Sequence, residues 1–126
     1  MRADKKNILL VEDNLIAAKT AQFILERMGC QVVHVDDGDK AVKLAQENHY
    51  DGICMDIGLP TMSGTQACKA IREYEAQHHL APVLIVALTG NYSPEEIKQY
   101  LEVGMQDVIG KPLTMEKAEH FLSFCK

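Results

Sequence analysis

A single parallel β-sheet with helices packed on both of its faces is the α/β fold that this sequence predicts. Two observations carry that prediction. Short apolar runs alternate with longer segments of helical period, strand then helix, five times along the chain. Several of the apolar runs also lack any alternation of polar and apolar residues, so both faces of the sheet must be covered. The chain has 126 residues, enough for one domain with a real core, and no linker, low-complexity stretch or repeat beyond the β-α unit divides it. One domain over residues 1–126 is therefore expected.

Each element has its own justification. NILLV, Asn7 to Val11, reads as a buried strand, and LIAAKTAQFILERMG behind it places Ile16, Ala17, Ala21, Ile24 and Met28 on one helical face. Gly29 stands where that helix should stop. QVVHV, Gln31 to Val35, is β-branched and strand-like, and Asp37-Gly38 opens the helix DKAVKLAQENH. DGICMD is the third strand, and GTQACKAIREYEAQHH brings Ala67, Ala70, Ile71 and Tyr74 to one side of a helix. Pro82 introduces VLIVAL, Val83 to Leu88, the most apolar strand. SPEEIKQYLEVG is the most fully signalled helix: Ser93 is an N-cap, Pro94 takes the first turn, Glu96 completes a capping box and Gly104 ends it. DVIG is a short fifth strand, and an amphipathic helix runs from about Thr114 to Phe124.

Composition removes several classes of function. With 47% hydrophobic and 25% charged residues the chain is of ordinary globular type. Its formal charge of −5, with no basic run, argues against a nucleic-acid partner. No apolar stretch approaches the ~20 residues that span a bilayer, and no signal-peptide layout opens the chain, so no membrane contact is expected. Cys30, Cys54, Cys68 and Cys125 lie far apart in or beside apolar runs, the pattern of buried thiols in a reducing, cytoplasmic setting rather than of disulfides or zinc ligands. The histidines are isolated or, like His78 and His79, close a helix, and none reads as a metal ligand.

Function is sought at the carboxyl ends of the strands, where open α/β sheets bind ligands. The first strand ends in Glu12-Asp13, the third in Asp56, the fourth in Thr89-Gly90 and the fifth in Gly110-Lys111-Pro112. Driving a buried strand straight into a carboxylate is costly unless that carboxylate is paired or coordinated. With strands ~4.8 Å apart, three carboxylates, a hydroxyl and an ammonium converge if these strands are neighbours. A hard divalent cation relieves the repulsion, and Mg2+ suits such a set because it keeps several waters and takes one or two carboxylates with phosphate oxygens. Asp13 and Asp56 serve as direct ligands in this reading, with Glu12 acting through water. Lys111 and Thr89 are placed to bind phosphoryl oxygens, and Asp56 is placed to accept the phosphoryl group itself. Gly58 and Gly90 leave room for a donor. Alone, each residue has an ordinary structural use, such as a helix-terminal charge, a turn aspartate, a capping threonine or a solvated lysine; their joint placement makes that reading improbable.

LLVEDN, MDIGLPTMSG, ALTG and VIGKPL together resemble the receiver domain of two-component response regulators, and the likeness covers essentially the whole chain. The resemblance implies a doubly wound, flavodoxin-like (β/α)5 sheet of strand order 2-1-3-4-5. It implies Mg2+-dependent transfer from a phosphohistidine to Asp56, with Asp13, Asp56 and the Gly58 backbone carbonyl on the metal, and a cis bond at Lys111-Pro112. It also implies a domain that is not an enzyme in isolation and whose partner is a histidine kinase or a histidine phosphotransfer domain. GMQDVIGKPL is similar to receivers fused to hybrid sensor kinases, and no output module follows FLSFCK, so excision from a hybrid histidine kinase is expected, with a stand-alone receiver as the alternative.

One position departs from the family pattern. Val108 stands where many receivers carry a switch aromatic, which favours a domain that passes its phosphoryl group onward. Leu15, Ile16 and Leu113 are candidate apolar docking residues, although Ile16 leans towards the core, and Gly58 and Asn91 lie where an attacking water is blocked or oriented. Three rivals fit less well. An aspartate-nucleophile phosphatase of the haloacid dehalogenase type begins with D-x-D after the first strand, a pseudo-receiver lacks part of the acidic and basic set, and a flavin phosphate would be repelled by VEDN.

Overall fold

Apolar runs without alternation can be buried only between two layers, and that is where they lie. The computed structural model describes residues 5–90 and 92–125. Strands β1 (Asn7–Val11), β2 (Gln31–Val35), β3 (Gly52–Asp56), β4 (Ile85–Thr89) and β5 (Asp107–Gly110) form one sheet in the order β2-β1-β3-β4-β5, all neighbours parallel. Between and after them run α1 (Leu15–Arg27), α2 (Gly38–Glu47), α3 (Gly64–Gln77), α4 (Pro94–Glu102) and α5 (Met115–Ser123). The expected topology is the one observed.

Side-chain alternation along each strand divides the core in two. Leu9 and Val11 of β1 join Ile53 and Met55 of β3 and Ile85 and Ala87 of β4 under α2, α3 and α4. Ile8 and Leu10, Cys54, and Val86 and Leu88 face the other way, against α1 and α5. All four cysteines are free; burial pushes the Cys68 and Cys125 thiols each up to about 11, and Cys54 higher still.

Local chemistry fixes the helix ends. The expected capping box on α4 is present, Ser93 with Glu96, and Ser63 with Gln66 forms another on α3. Gly29 and Gly104 end α1 and α4 with φ of 91° and 111°, the left-handed region that glycine enters without strain. Lys111-Pro112 is cis.

Three expectations about faces and boundaries need correction. The buried stripe of α1 is Ala18, Ala21 and Leu25, rotated by one residue from the predicted one, so Ile16 is 79% exposed rather than core. Asn14 sets that phase: its side chain accepts from the Ala17 N–H, and small alanines then allow close packing on the sheet. Leu113 is 5% exposed and lies in the core between α1 and α5. It directly precedes the N-cap Thr114, the place of a hydrophobic staple onto the first turns of α5, and so is no docking residue. Strand β4 begins at Ile85, not Val83, because the Val83 N–H is taken by the Glu75 side chain and the Ile85 N–H by Gln106.

Candidate functional site

The register of the sheet brings the predicted residues together. Asp56, the last residue of β3, pairs with Leu88, and Thr89 pairs with Gly110, so the ends of β3, β4 and β5 lie level. Lys111 is held there by its own backbone, whose N–H donates to the Thr89 carbonyl at 2.8 Å. On the other side of β3, the Glu12 N–H donates to Val35 of β2 at 3.0 Å, and His34 of β2 contacts the Glu12 carbonyl at 2.8 Å, anchoring the backbone beyond β1. Helix α3 closes in from below: the Gly64 N–H donates to Ile57 O at 3.0 Å, and a Cβ at Gly64 would run into the Asp56 carbonyl oxygen. Only glycine permits that approach.

Glu12 is 1% exposed and Asp56 5%, while Asp13 is exposed. Carboxylate oxygens of all three lie within 4.8 Å of one another. Among the described residues one ammonium, that of Lys111, reaches the cluster, 2.9 Å from Glu12 Oε1 and 3.2 Å from Asp56 Oδ1. Partial burial alone would lower the Lys111 pKa, but the Glu12 and Asp56 carboxylates outweigh it and the net shift is upward. The contact with Glu12 falls short of hydrogen-bond geometry, leaving the buried Oε1 with no donor among the described residues. Its Oε2 accepts from the Asn14 N–H at 3.1 Å. On Asp56, the Gly58 N–H donates to Oδ1 at 3.3 Å; neither that bond nor the Lys111 contact engages Oδ2.

Among the described residues the pocket thus holds three carboxylates against one cation, with a buried oxygen that has an ion pair but no hydrogen bond, a set that suits a hard divalent ion. A Cβ at Gly58 or Gly90 would meet nothing within 4 Å, so both glycines border open space. Leu15 and Ile16, 62% and 79% exposed, flank the acidic pair on the first turn of α1. Asn91 lies outside the described residues.

Sequence reasoning missed Tyr100. It is 4% exposed, on the face of α4 turned to the core layer of β4. Burial pushes the phenol above its ordinary value, Glu96 adds to the rise, and the nearby Thr89 hydroxyl works against it. The available signal was an aromatic at helical spacing from Ser93 and Glu96, on the face of α4 that turns to the sheet.

Fold and site together define a class: a doubly wound domain with a cation-ready acidic pocket and a lysine at the carboxyl edge of its sheet. More particularly, the chain belongs to the response regulator receiver domain family, whose pattern matches residues 8–122. It is 37% identical over 107 residues to the sensor histidine kinase GacS of Pseudomonas protegens, a match covering 85% of this chain and 12% of that protein. It therefore spans about an eighth of that relative's length. The receiver domain of sensor histidine kinase PA1611 from Pseudomonas aeruginosa, solved with a magnesium ion coordinated in the active site cleft, superposes with a TM-score of 0.84 at 33% identity, over 95% of this chain and 97% of that one. A chain of the co-crystal structure of the Saccharomyces cerevisiae histidine phosphotransfer protein Ypd1 with the receiver domain of Ssk1 gives 0.90 at 31% identity, over 96% and 89%. No helix among the described residues is long and apolar enough to cross a membrane.

Proposed function

We propose that Asp56 accepts a phosphoryl group from a phosphohistidine, and that the domain, taking in residues 1–126, passes that group on or loses it to water. The observation that carries this reading is the state of Asp56: a carboxylate 5% exposed, clustered with two others and pinned through Oδ1 by Lys111 and the Gly58 N–H. In the transfer, a carboxylate oxygen of Asp56 forms the new O–P bond while the P–N bond of the donor breaks and its electron pair returns to the imidazole. Lys111 stands ready to neutralise charge on the phosphoryl oxygens, and the Thr89 hydroxyl to donate to one of them.

Asp13 and Asp56, with Glu12 through water and the Gly58 backbone carbonyl, are the proposed holders of Mg2+. When bound, the ion neutralises charge on the acidic pocket and on the incoming phosphoryl group. The fit rests on the unbalanced carboxylates and the donor-less Glu12 oxygen, and the magnesium-bound Pseudomonas aeruginosa receiver supports it.

The proposed partner is a histidine kinase or a histidine phosphotransfer domain, as in the Ypd1 complex, meeting this chain at the exposed Leu15 and Ile16. Similarity to GacS and to other sensor kinases supports origin in a hybrid histidine kinase. On that reading the domain works in the cytoplasm and is a phospho-acceptor rather than an enzyme in its own right. Val108, where a switch aromatic is expected, fits a phosphorelay role.

Intact mass after incubation with phosphoramidate or acetyl phosphate tests the proposal. One added phosphoryl group, absent with EDTA and absent in Asp56→Asn, is the expected result. No adduct and no response to beryllofluoride in the wild type would refute it.

A further inference from the structure

Strand β2 lies at the edge of the sheet, and no member of the carboxylate cluster comes from it. It nonetheless binds two successive peptide groups beyond β1. The Glu12 N–H donates to the Val35 carbonyl at 3.0 Å. The Glu12 carbonyl, part of the peptide that joins Glu12 to Asp13, lies 2.8 Å from His34 Nε2. A carbonyl oxygen only accepts, so Nε2 carries the proton of that bond. Alternation along β2 puts His34 on the same face as Val32, the side of α1 and α5, and the register sets it level with Leu10. From there its half-buried ring reaches two residues along β1 to the Glu12 carbonyl.

Asp13 needs such a hold. Glu12 is kept in place by burial, Lys111 and the Asn14 N–H, and Asp56 by Lys111 and the Gly58 N–H. Asp13 is exposed, and among the described residues its side chain has neither a hydrogen bond nor an ion pair. Like charges within 4.8 Å repel one another, and water is open to the exposed one. What keeps the Asp13 carboxylate beside the other two is its main chain.

We infer that His34 is a positioning residue for the metal site: by tying down the Glu12–Asp13 peptide it holds the Asp13 carboxylate beside those of Glu12 and Asp56. The inference rests on the proposed role of Asp13 in holding Mg2+. A peptide plane tied at its carbonyl cannot turn without breaking that bond, and Asp13 is carried on the nitrogen side of this plane. Without the imidazole, Asp13 relaxes away from its like-charged neighbours. Mg2+ binding then includes the cost of bringing it back.

The test is a Mg2+ titration followed by amide NMR on the 126-residue chain, with no phosphoryl donor present. The wild type is compared with His34→Leu, His34→Gln, Asp13→Asn and the doubly substituted His34→Leu, Asp13→Asn form. Signals of the folded protein report metal affinity separately from any loss of stability. Leucine fills part of the space of the ring and donates nothing, whereas the glutamine amide carries an N–H donor in place of Nε2. His34→Leu should weaken Mg2+ binding about three- to tenfold, the worth of one neutral hydrogen bond. His34→Gln should recover most of that loss. In the Asp13→Asn background, His34→Leu should add nothing.

Wild-type Mg2+ affinity in His34→Leu would overturn the inference while leaving the metal and Asp56 in their proposed roles. A glutamine variant as weak as the leucine one would overturn it too. So would an equal weakening with and without the Asp13 carboxylate, the mark of a general loosening at the end of β2. A wild type whose amides do not respond to Mg2+ would remove the metal reading itself, and this inference with it.

Discussion

Acidic side chains are buried at both ends of this sheet, in opposite circumstances. At the end where the strands begin, Glu75 of α3 is 8% exposed and fully matched: Oε1 takes the Arg72 guanidinium at 2.8 Å and Oε2 the Val83 N–H at 2.8 Å. Arg72 also donates to Gly104 O at 2.8 and 3.0 Å and to Gln106 Oε1 at 2.9 Å, so α3, the lead into β4 and the turn before β5 are bound together. At the end where the strands stop, Glu12, Asp13 and Asp56 cluster; among the described residues Lys111 pairs only with Glu12 and Asp56, and the buried Glu12 Oε1 has that ion pair but no hydrogen bond. Burying a charge therefore does not mark a functional site. What marks one is a buried charge whose partners the protein does not supply, because that deficit weakens the fold and is met only by a ligand.

Substitution at each end gives the sharpest contrast. Asp56→Asn should abolish phosphoryl uptake in intact-mass measurements yet raise the urea midpoint, since it removes one of three crowded like charges and keeps an acceptor for the Gly58 N–H. A fall in the midpoint would break the comparison. Glu75→Ala should do the reverse, lowering stability by about 2–4 kcal/mol, the usual cost of stranding one partner of a buried pair. Its folded fraction should still accept a phosphoryl group at the wild-type rate, as phosphoramidate labelling in dilute urea would report.

Metal and pH separate the two ends more finely. Mg2+ at ten times its dissociation constant should stabilise the wild type by about 1.4 kcal/mol through linkage. A double substitution of Asp13→Asn and Asp56→Asn should lose that gain in thermal unfolding, and Glu75→Ala should keep it. The smallest effect is in alkali. Because the folded Lys111 pKa lies above its ordinary value, its ion pairs contribute fully below the unfolded lysine pKa. That contribution fades as pH rises through the higher folded value. Lys111→Met should flatten stability against pH in this window in metal-free protein, whereas substitutions around Glu75 should leave the slope alone.

How much of this was legible beforehand varies from residue to residue. The Ser93-Glu96 capping box and the glycine stops at Gly29 and Gly104 were readable because they depend on neighbours in the chain. Glu12, Asp13, Asp56, Thr89 and Lys111 were readable because strand ends in a parallel α/β sheet converge, and strand ends are local features. The facing of α1 was not. Its apolar residues lie on two sides, Leu15, Ile16 and Phe23 on one and Ala18, Ala21 and Leu25 on the other, so periodicity gives two answers. Leu113 and Tyr100 escaped for a related reason: both are buried by packing against other elements.

The sequence by itself thus determined the order of strands and helices, their caps, and the acidic and basic residues delivered to one edge. Tertiary structure alone decided which face of α1 meets the sheet, that Ile16 is exposed, and that Leu113 and Tyr100 are buried. The division is physical. Propensity, capping and period act over one or two turns of chain, whereas burial and pairing are settled by whichever distant side chain fills the remaining space.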